Sequence, residues 1–348
     1  MRPALVTPPA VRPGDRVAVV SPSFAAPGMF PAVHELAMHR LREQIGLVPV
    51  EYPTTRQLGA PPEDRARDLM RAFADPTVRA VLASIGGDDQ IAVLPYLDPA
   101  VFLADPKPFL GYSDNTNLLN WLWNIGIVGY HGGSTMVHLA RGGGLHPISA
   151  GSLRAALLTR GDLDLHPADT FSEDEFDWND PSSLGRPAPT LPGRGWTWHR
   201  PDRVVTGPTW GGNLEIVAWN LAADRWIRPI EDYADCVLMI ETSEELPSAT
   251  EVFRMLRNAG ERGLLQQFPA VIVGLAKASS LERHNSPEVR ERFRADQRHA
   301  VLSAFGSYHP AAMIVFDVDF GHTDPQWVVP YGGNLTVDGP GRRITAHY

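Results

Sequence analysis

Cysteine is almost absent. The 348-residue chain holds one, Cys236, so no internal disulfide can form and stability does not call for an oxidising compartment. Cys236 opens the apolar run Cys236-Val237-Leu238-Met239-Ile240, where a buried structural thiol is expected rather than a reactive one. Long apolar runs are missing too. No stretch reaches the roughly 18 apolar residues of a membrane span, and Pro3, Pro8 and Pro9 stand where a signal peptide needs its apolar segment. A cytoplasmic protein is expected. Nor is there a basic excess: 31 Lys and Arg against 40 Asp and Glu leave a net charge of -9 and no basic stripe, which argues against a nucleic-acid polymer as partner.

What is present is an ordinary globular composition, 43% hydrophobic and 20% charged, in a chain too long for one typical core. The run Val17-Ala18-Val19-Val20 ends in Ser21-Pro22-Ser23 and reads as a buried parallel strand with a loop at its carboxyl end. Helical spacing over 31–44, a strand at 47–50, an amphipathic helix over 62–74 and the strand from Val78 into Gly86-Gly87 repeat the alternation. A short helix is expected over 91–97, a strand at 108–110, a helix over 116–123 and another over 150–159. Such alternation predicts an α/β, doubly wound parallel sheet. Ligands bind beyond the carboxyl ends of such strands, so Ser21 to Ser23, Gly86-Gly87 and Ser113 should converge.

The pattern breaks over 161–202, a stretch rich in Asp, Pro, Gly and Trp that reads as a linker or lid. Its acidic segment Ser172-Glu173-Asp174-Glu175-Phe176-Asp177-Trp178 reads as a solvated loop. Trp178, Trp196 and Trp198 either pack a domain junction or wall a pocket. The expected division is an N-terminal domain over 1–160, the linker over 161–202, and a mixed, strand-rich α/β domain over 203–348. In that last part Glu241 ends one strand, His322 follows another, Glu244 and Glu245 open a helix, and 328–330 with 335–337 form a closing hairpin.

The stretch Lys107 to Leu119 gives the chain its centre. A short strand runs into an abrupt turn carrying Ser113, and a helix follows at once. A serine there projects from the sheet edge while unpaired amides of the next helical turn aim positive dipole at the same point. This is a relative of the Gly-x-Ser-x-Gly elbow, with Asn115 in place of the second glycine; a turn or N-cap serine is the plainer alternative. A nucleophilic serine needs a base, and the base needs a carboxylate. His322, fixed at a strand-end corner, is one candidate base and His131 its rival; Glu241 is the strand-end acid. A metal cluster of Asp317, Asp319, His322 and Asp324 is a further option, but its spacing matches no known ligand pattern.

Gly111-Tyr112-Ser113-Asp114-Asn115-Thr116, Ile85-Gly86-Gly87, Trp210-Gly211-Gly212-Asn213-Leu214, the Glu241 strand end and Phe320-Gly321-His322 together carry a resemblance. In this order they resemble the LD-carboxypeptidase family of serine peptidases, over nearly the whole chain. The loop Ser84 to Gln90 is similar to that of the branch containing the microcin C immunity peptidase. The resemblance implies a Ser113-Glu241-His322 triad, an oxyanion hole from the amides of Gly87 and Asp114, and substrate contacts at Trp178, Trp196, Trp198, Trp210 and Asn213. It implies no cofactor, no metal and a homodimer. The implied reaction is cleavage of an amide beside the C-terminal group of a small peptide or aminoacyl nucleotide. Removal of a terminal D-residue from a murein tetrapeptide is the alternative, and a non-catalytic peptide or nucleotide binder the further one.

Overall fold

The computed structural model describes residues 3–174 and 177–348. The first part of the chain contains β1 (Arg16–Val20), α1 (Ala26–Met29), α2 (Pro31–Arg40), β2 (Val48–Glu51), α3 (Pro62–Ala74), β3 (Val78–Ala83), α4 (Pro99–Ala104), β4 (Phe109–Gly111), α5 (Thr116–Ile125), β5 (Gly129–His131) and α6 (Pro147–Arg154). Then come β6 (Asp162–Leu165), β7 (Thr170–Phe171), β8 (Leu191–Pro192), β9 (Thr197–His199), β10 (Val204–Asn213) and α7 (Leu214–Ala223). The last part holds β11 (Val237–Glu241), α8 (Ala249–Glu261), β12 (Ala270–Gly274), α9 (Pro287–Tyr308), β13 (Met313–Val318), β14 (Val329–Tyr331), β15 (Asn334–Asp338) and β16 (Arg343–His347).

The first six-stranded sheet has the order β14-β5-β4-β3-β1-β2. Its five N-terminal strands are parallel, and Val17 to Val20 are buried, as central parallel strands require. The chain leaves β1 toward β2 and returns to the other side at β3, so a crevice opens at the carboxyl ends of β1 and β3. Ser21 Oγ lies 2.7 Å from Ser84 Oγ there, and the Phe24 amide donates to the Gly86 carbonyl. The second, eight-stranded sheet has the order β6-β16-β15-β10-β11-β12-β13-β9, parallel from β10 to β13 and antiparallel outside. A mixed α/β architecture in two large sheets, with β7 and β8 as a separate antiparallel pair, is therefore what the chain adopts.

Several local expectations are corrected. The run over 91–97 is two 3-10 turns separated at Val93, and a helix not foreseen, α4, follows with Asp98 as its N-cap. The expected hairpin of 328–330 with 335–337 does not form. β14 instead runs antiparallel to β5 at the edge of the first sheet, while β15 pairs with β10 and β16 in the second. Gly332, at φ +85°, turns the chain from one sheet to the other, and Pro330, lacking an N–H, is tolerated because β14 is an edge strand. The 161–202 stretch supplies both edge strands of the second sheet, β6 and β9.

α5 is buried along residues 116–123 because it lies between the sheets. Leu118, Leu119, Leu122 and Trp123 enter the core, whereas its polar residues bond to the second half of the chain. The Asn213 amide donates to Thr116 Oγ1 (3.0 Å), Asn220 Nδ2 to Asn117 Oδ1 (2.9 Å) and Trp210 Nε1 to Asn120 Oδ1 (3.0 Å). Asn120→Ala leaves the buried Trp210 N–H unpaired, so urea unfolding should show a loss of about 1–3 kcal/mol. An unchanged midpoint and slope would show that this bond holds nothing together.

Candidate active site

Ser113 has a φ of 60°, a left-handed conformation that costs a non-glycine residue on the order of 1 kcal/mol or more and persists only where its surroundings impose it. The imposing network is buried. The Asp114 carboxylate accepts from Ser23 Oγ, from the Gln90 amide at 2.9 Å and from Asn117 Nδ2 at 2.8 Å. Burial raises the Asp114 pKa even though these bonds oppose it. Asn115 Nδ2 donates to the Ile85 carbonyl at 2.9 Å, and its Oδ1 accepts from Gln90 Nε2 at 2.8 Å. Asn115 therefore ties the elbow to the neighbouring loop. A Cβ at Gly111 would lie 2.8 Å from Asn115 Cβ, and one at Gly86 would lie 2.8 Å from Ser113 Cβ, so both glycines are required by space.

Glu241, 2% exposed at the end of β11, meets His322: Oε2 lies 2.5 Å from Nδ1. Gly274 and Gly321 make room for it, since a Cβ at either would come within 2.7 and 3.0 Å of Glu241 Cβ. The His322 turn is held by Gln326 Nε2, which donates to the carbonyls of Phe320 (3.2 Å) and Gly321 (2.9 Å). The His322 ring is 4.9 Å from the ring of Tyr112, the residue before Ser113. The two sheets thus bring the serine corner and the Glu-His pair together. His322 Nε2, however, contacts Glu244 Oε2 at 3.1 Å, and among the described residues Ser113 and His322 are not hydrogen-bonded to each other. Burial pushes the His322 pKa down, but Glu241 and Glu244 outweigh it and lift the value to about 9.

Glu244 corrects the expectation that it opens a helix. That helix starts at Ala249 behind Ser248, whose hydroxyl receives the Glu251 amide while Glu251 answers with its carboxylate. Glu244 stays in the preceding loop and is free to reach His322. His131, the rival base, is fully buried with neither ring nitrogen hydrogen-bonded among the described residues; Nε2 stands 3.9 Å from Glu241 Oε1. Burial holds its pKa down at about 3. His138, which no strand end marks in the sequence, packs its ring 5.4 Å from that of Tyr112 and is pressed by burial to about 4.

The remaining candidates are dispersed. Trp178 packs edge-on to Phe30, Trp196 Nε1 donates to Asp319 Oδ2 at 3.0 Å, and Trp198 lies in β9 under the Arg342 guanidinium. Trp210 is 2% exposed among Trp123, Tyr233 and Phe268, so it belongs to the core beneath the site. Asn213 caps α7 through Oδ1, while its buried Nδ2 has no hydrogen-bond partner among the described residues. Gly87 stands against Ser23 and Phe24. Asp317, Asp319 and Asp324 point to separate partners, Arg298, Trp196 and Arg141. The acidic segment is not simply solvated: Glu173 is 3% exposed and paired with Arg290 and Arg294 of α9. Glu175 and Phe176 of that segment lie outside the described residues. Cys236 is buried.

Residues 17–132 match the LD-carboxypeptidase N-terminal domain, and residues 206–337 match the LD-carboxypeptidase C-terminal domain. The chain belongs to the LD-carboxypeptidase family. It is a serine-type carboxypeptidase, a hydrolase. A probable murein peptide carboxypeptidase of Bacillus subtilis is 24% identical over 333 residues, covering 95% of this chain and 91% of that one. The microcin C7 self-immunity protein MccF of Escherichia coli is 22% identical over 294 residues, or 81% and 78% of the two chains. A structure of MccF with glutamyl sulfamoyl guanosine shares the fold at TM-score 0.83, with 20% identity over 99% of both chains. An MccF-like protein from Streptococcus pneumoniae in complex with AMP superposes at TM-score 0.85, with 25% identity, over 96% of this LD-carboxypeptidase family member and 99% of its neighbour. Among the described residues no helix is long and apolar enough to cross a membrane.

The raised His322 pKa has a thermodynamic sign. The paired imidazolium stabilises the fold fully below about pH 6.5, the ordinary histidine value, and that contribution is lost as pH rises through about 9. Between those limits the wild type should lose roughly 3 kcal/mol more than His322→Gln, at 1.36 kcal/mol per pKa unit, in urea titrations at pH 6 and pH 9.5. Parallel declines in the two proteins would show that His322 and Glu241 are not held as an ion pair.

Proposed function

We propose that the chain hydrolyses an amide beside the C-terminal group of a small aminoacyl- or peptidyl-nucleotide, with Ser113 as nucleophile, His322 as base and Glu241 as orienting acid. The observation that carries this reading is the buried Glu241–His322 pair lying against Tyr112, next to a serine in an imposed left-handed conformation. His322 Nε2 takes the Ser113 proton as Oγ attacks the carbonyl carbon. The amides of Gly87 and Asp114 receive the oxyanion, an interaction worth on the order of 3 kcal/mol in other enzymes. His322 then gives the proton to the leaving nitrogen. Water, deprotonated by the same ring, breaks the ester and restores Ser113. Asn213, which sits opposite Glu241 in the β10–β11 register, holds a buried Nδ2 donor that has no partner among the described residues.

The nucleotide leaving group is supported by the Ser84 to Gln90 loop and by the likeness to a neighbour bound to AMP. The second reading, a murein tetrapeptide losing its terminal D-residue inside the cytoplasm, is supported by the name of the Bacillus subtilis relative. The two are separated by presenting cell-wall tetrapeptides and aminoacyl sulfamoyl adenosines to the enzyme and measuring release of the terminal group. Release of aminoacyl groups alone supports the first reading, and release of D-alanine alone the second.

A fluorophosphonate should label Ser113, and Ser113→Ala should lower kcat by roughly 10⁴-fold or more, with His322→Ala in the same chain adding little, because triad members act as a unit. Intact turnover in Ser113→Ala would remove the serine from the mechanism.

A further inference from the structure

Glu244 occupies the position where a serine enzyme of this design needs open space. Its carboxylate is 3.1 Å from His322 Nε2, the nitrogen that must take the Ser113 proton, while Nδ1 on the other side is already held by Glu241 at 2.5 Å. The His322 side chain is 6% exposed and that of Glu244 is 50% exposed, so Glu244 reaches over the base from the solvent side. Of the other buried carboxylates, Asp317 is held by Arg298 and Glu173 by Arg290 and Arg294, while Glu215 accepts from the Ser243 amide and hydroxyl. Glu244 has an imidazole.

We propose that Glu244 is a specificity-determining residue that receives a cationic ammonium borne beside the scissile amide and, in turning to it, releases His322 Nε2 to Ser113. The inference rests on the triad reading above and adds the substrate class: peptides or aminoacyl conjugates carrying a free amino group next to the cleaved bond. The charge argument is direct. Two carboxylates against one buried ring hold it as imidazolium, and an imidazolium cannot act as a base. A substrate ammonium draws one carboxylate away and adds positive charge, and both changes favour loss of the ring proton.

The other groups around His322 do not supply this switch. Glu241 from β11 is buried and committed to Nδ1, Glu215 of α7 is buried and bonded to Ser243, and Lys277 after β12 acts on both Glu244 and His322 through its charge. His131 at the end of β5 and His138 in the 135–139 turn are kept neutral by burial. Tyr112 presents its ring to all three histidines. A half-exposed loop carboxylate is the member of this set that can move.

The test compares wild type with Glu244→Gln on paired substrates, an aminoacyl sulfamoyl adenosine and a dipeptide, each with the amino group beside the scissile amide free and acetylated, and follows fluorophosphonate labelling of Ser113 against pH. The wild type should prefer the free amine by about tenfold or more, as a charge-assisted hydrogen bond allows, and Glu244→Gln should erase the preference. The uncharged fluorophosphonate should label Glu244→Gln several-fold faster than wild type at pH 7, with the acid limb of its profile moved to lower pH. Glu244→Asp should restore part of the amine preference. A preference that survives in Glu244→Gln, or a labelling limb that does not move, overturns the inference while leaving the triad standing. If wild type is neither labelled nor active on any of the four substrates, the triad reading itself fails, and this inference with it.

Discussion

The site depends on a seam of buried hydrogen bonds between α5 and the β10–α7 corner. Ser113 is presented by the first sheet, and Glu241 and His322 by the second, so the proposed chemistry requires that the sheets keep one relative position. Thr116, Asn117 and Asn120 enforce this because each is buried and bonds to Asn213, Asn220 or Trp210. Breaking register there would strand polar groups away from water at about 1–3 kcal/mol each. The C-terminal segment adds a second clamp. β14 lies on the first sheet and β15 on the second, while Thr209 exchanges backbone bonds with Gly332 and Gly333 between them. A chain crossing this way makes the two halves one mechanical unit, which a simple linker could not do.

Given fixed sheets, local space decides the rest. Ser113 is held in its conformation by an acid and an amide, Asp114 and Asn115, both anchored to Gln90 on the adjoining loop. Glu241 fits because Gly274 and Gly321 lack side chains. Glycine at 321 and histidine at 322 are thus one device: the first admits the carboxylate and the second receives it. The acid's other oxygen, 3.9 Å from His131, whose ionisation burial disfavours, gains little counter-charge on that side. Its charge is therefore directed at His322.

Much of this was legible in the sequence, and the failures have physical causes. Apolar runs ending in small or polar residues locate the parallel strands and their carboxyl ends, which is why Ser113, Glu241 and His322 can be picked out as strand-end residues. Trp210 could not be placed in the same way, since a glycine-rich neighbourhood says nothing about whether an indole faces a ligand or a core. β14 was unreadable as a partner of β5 because 198 residues separate His131 from its partner Val329, and strand pairing at that distance leaves no local pattern. Glu173 looked solvated because its two arginines come from α9, more than a hundred positions later. The seam was equally hidden: Asn117 and Asn120 on an otherwise apolar helix signal only that something polar must answer them.

Glu244 is the most instructive case, because the information needed to place it was present. Ser248-Ala249-Thr250-Glu251 is a capping box in plain sequence, and once it sets the helix start at Ala249 the helix dipole can no longer account for a carboxylate five residues earlier. A glutamate three residues past the catalytic-type acid, in a loop rather than a helix, must then find another partner. Within reach of that loop the group best able to accept a negative charge is the imidazole already polarised by Glu241. The same electrostatics that would make His322 a strong hydrogen-bond partner for Glu241 therefore attract a second carboxylate to its free nitrogen. An acid-base pair buried this deeply creates its own competitor unless the substrate brings a charge to displace it.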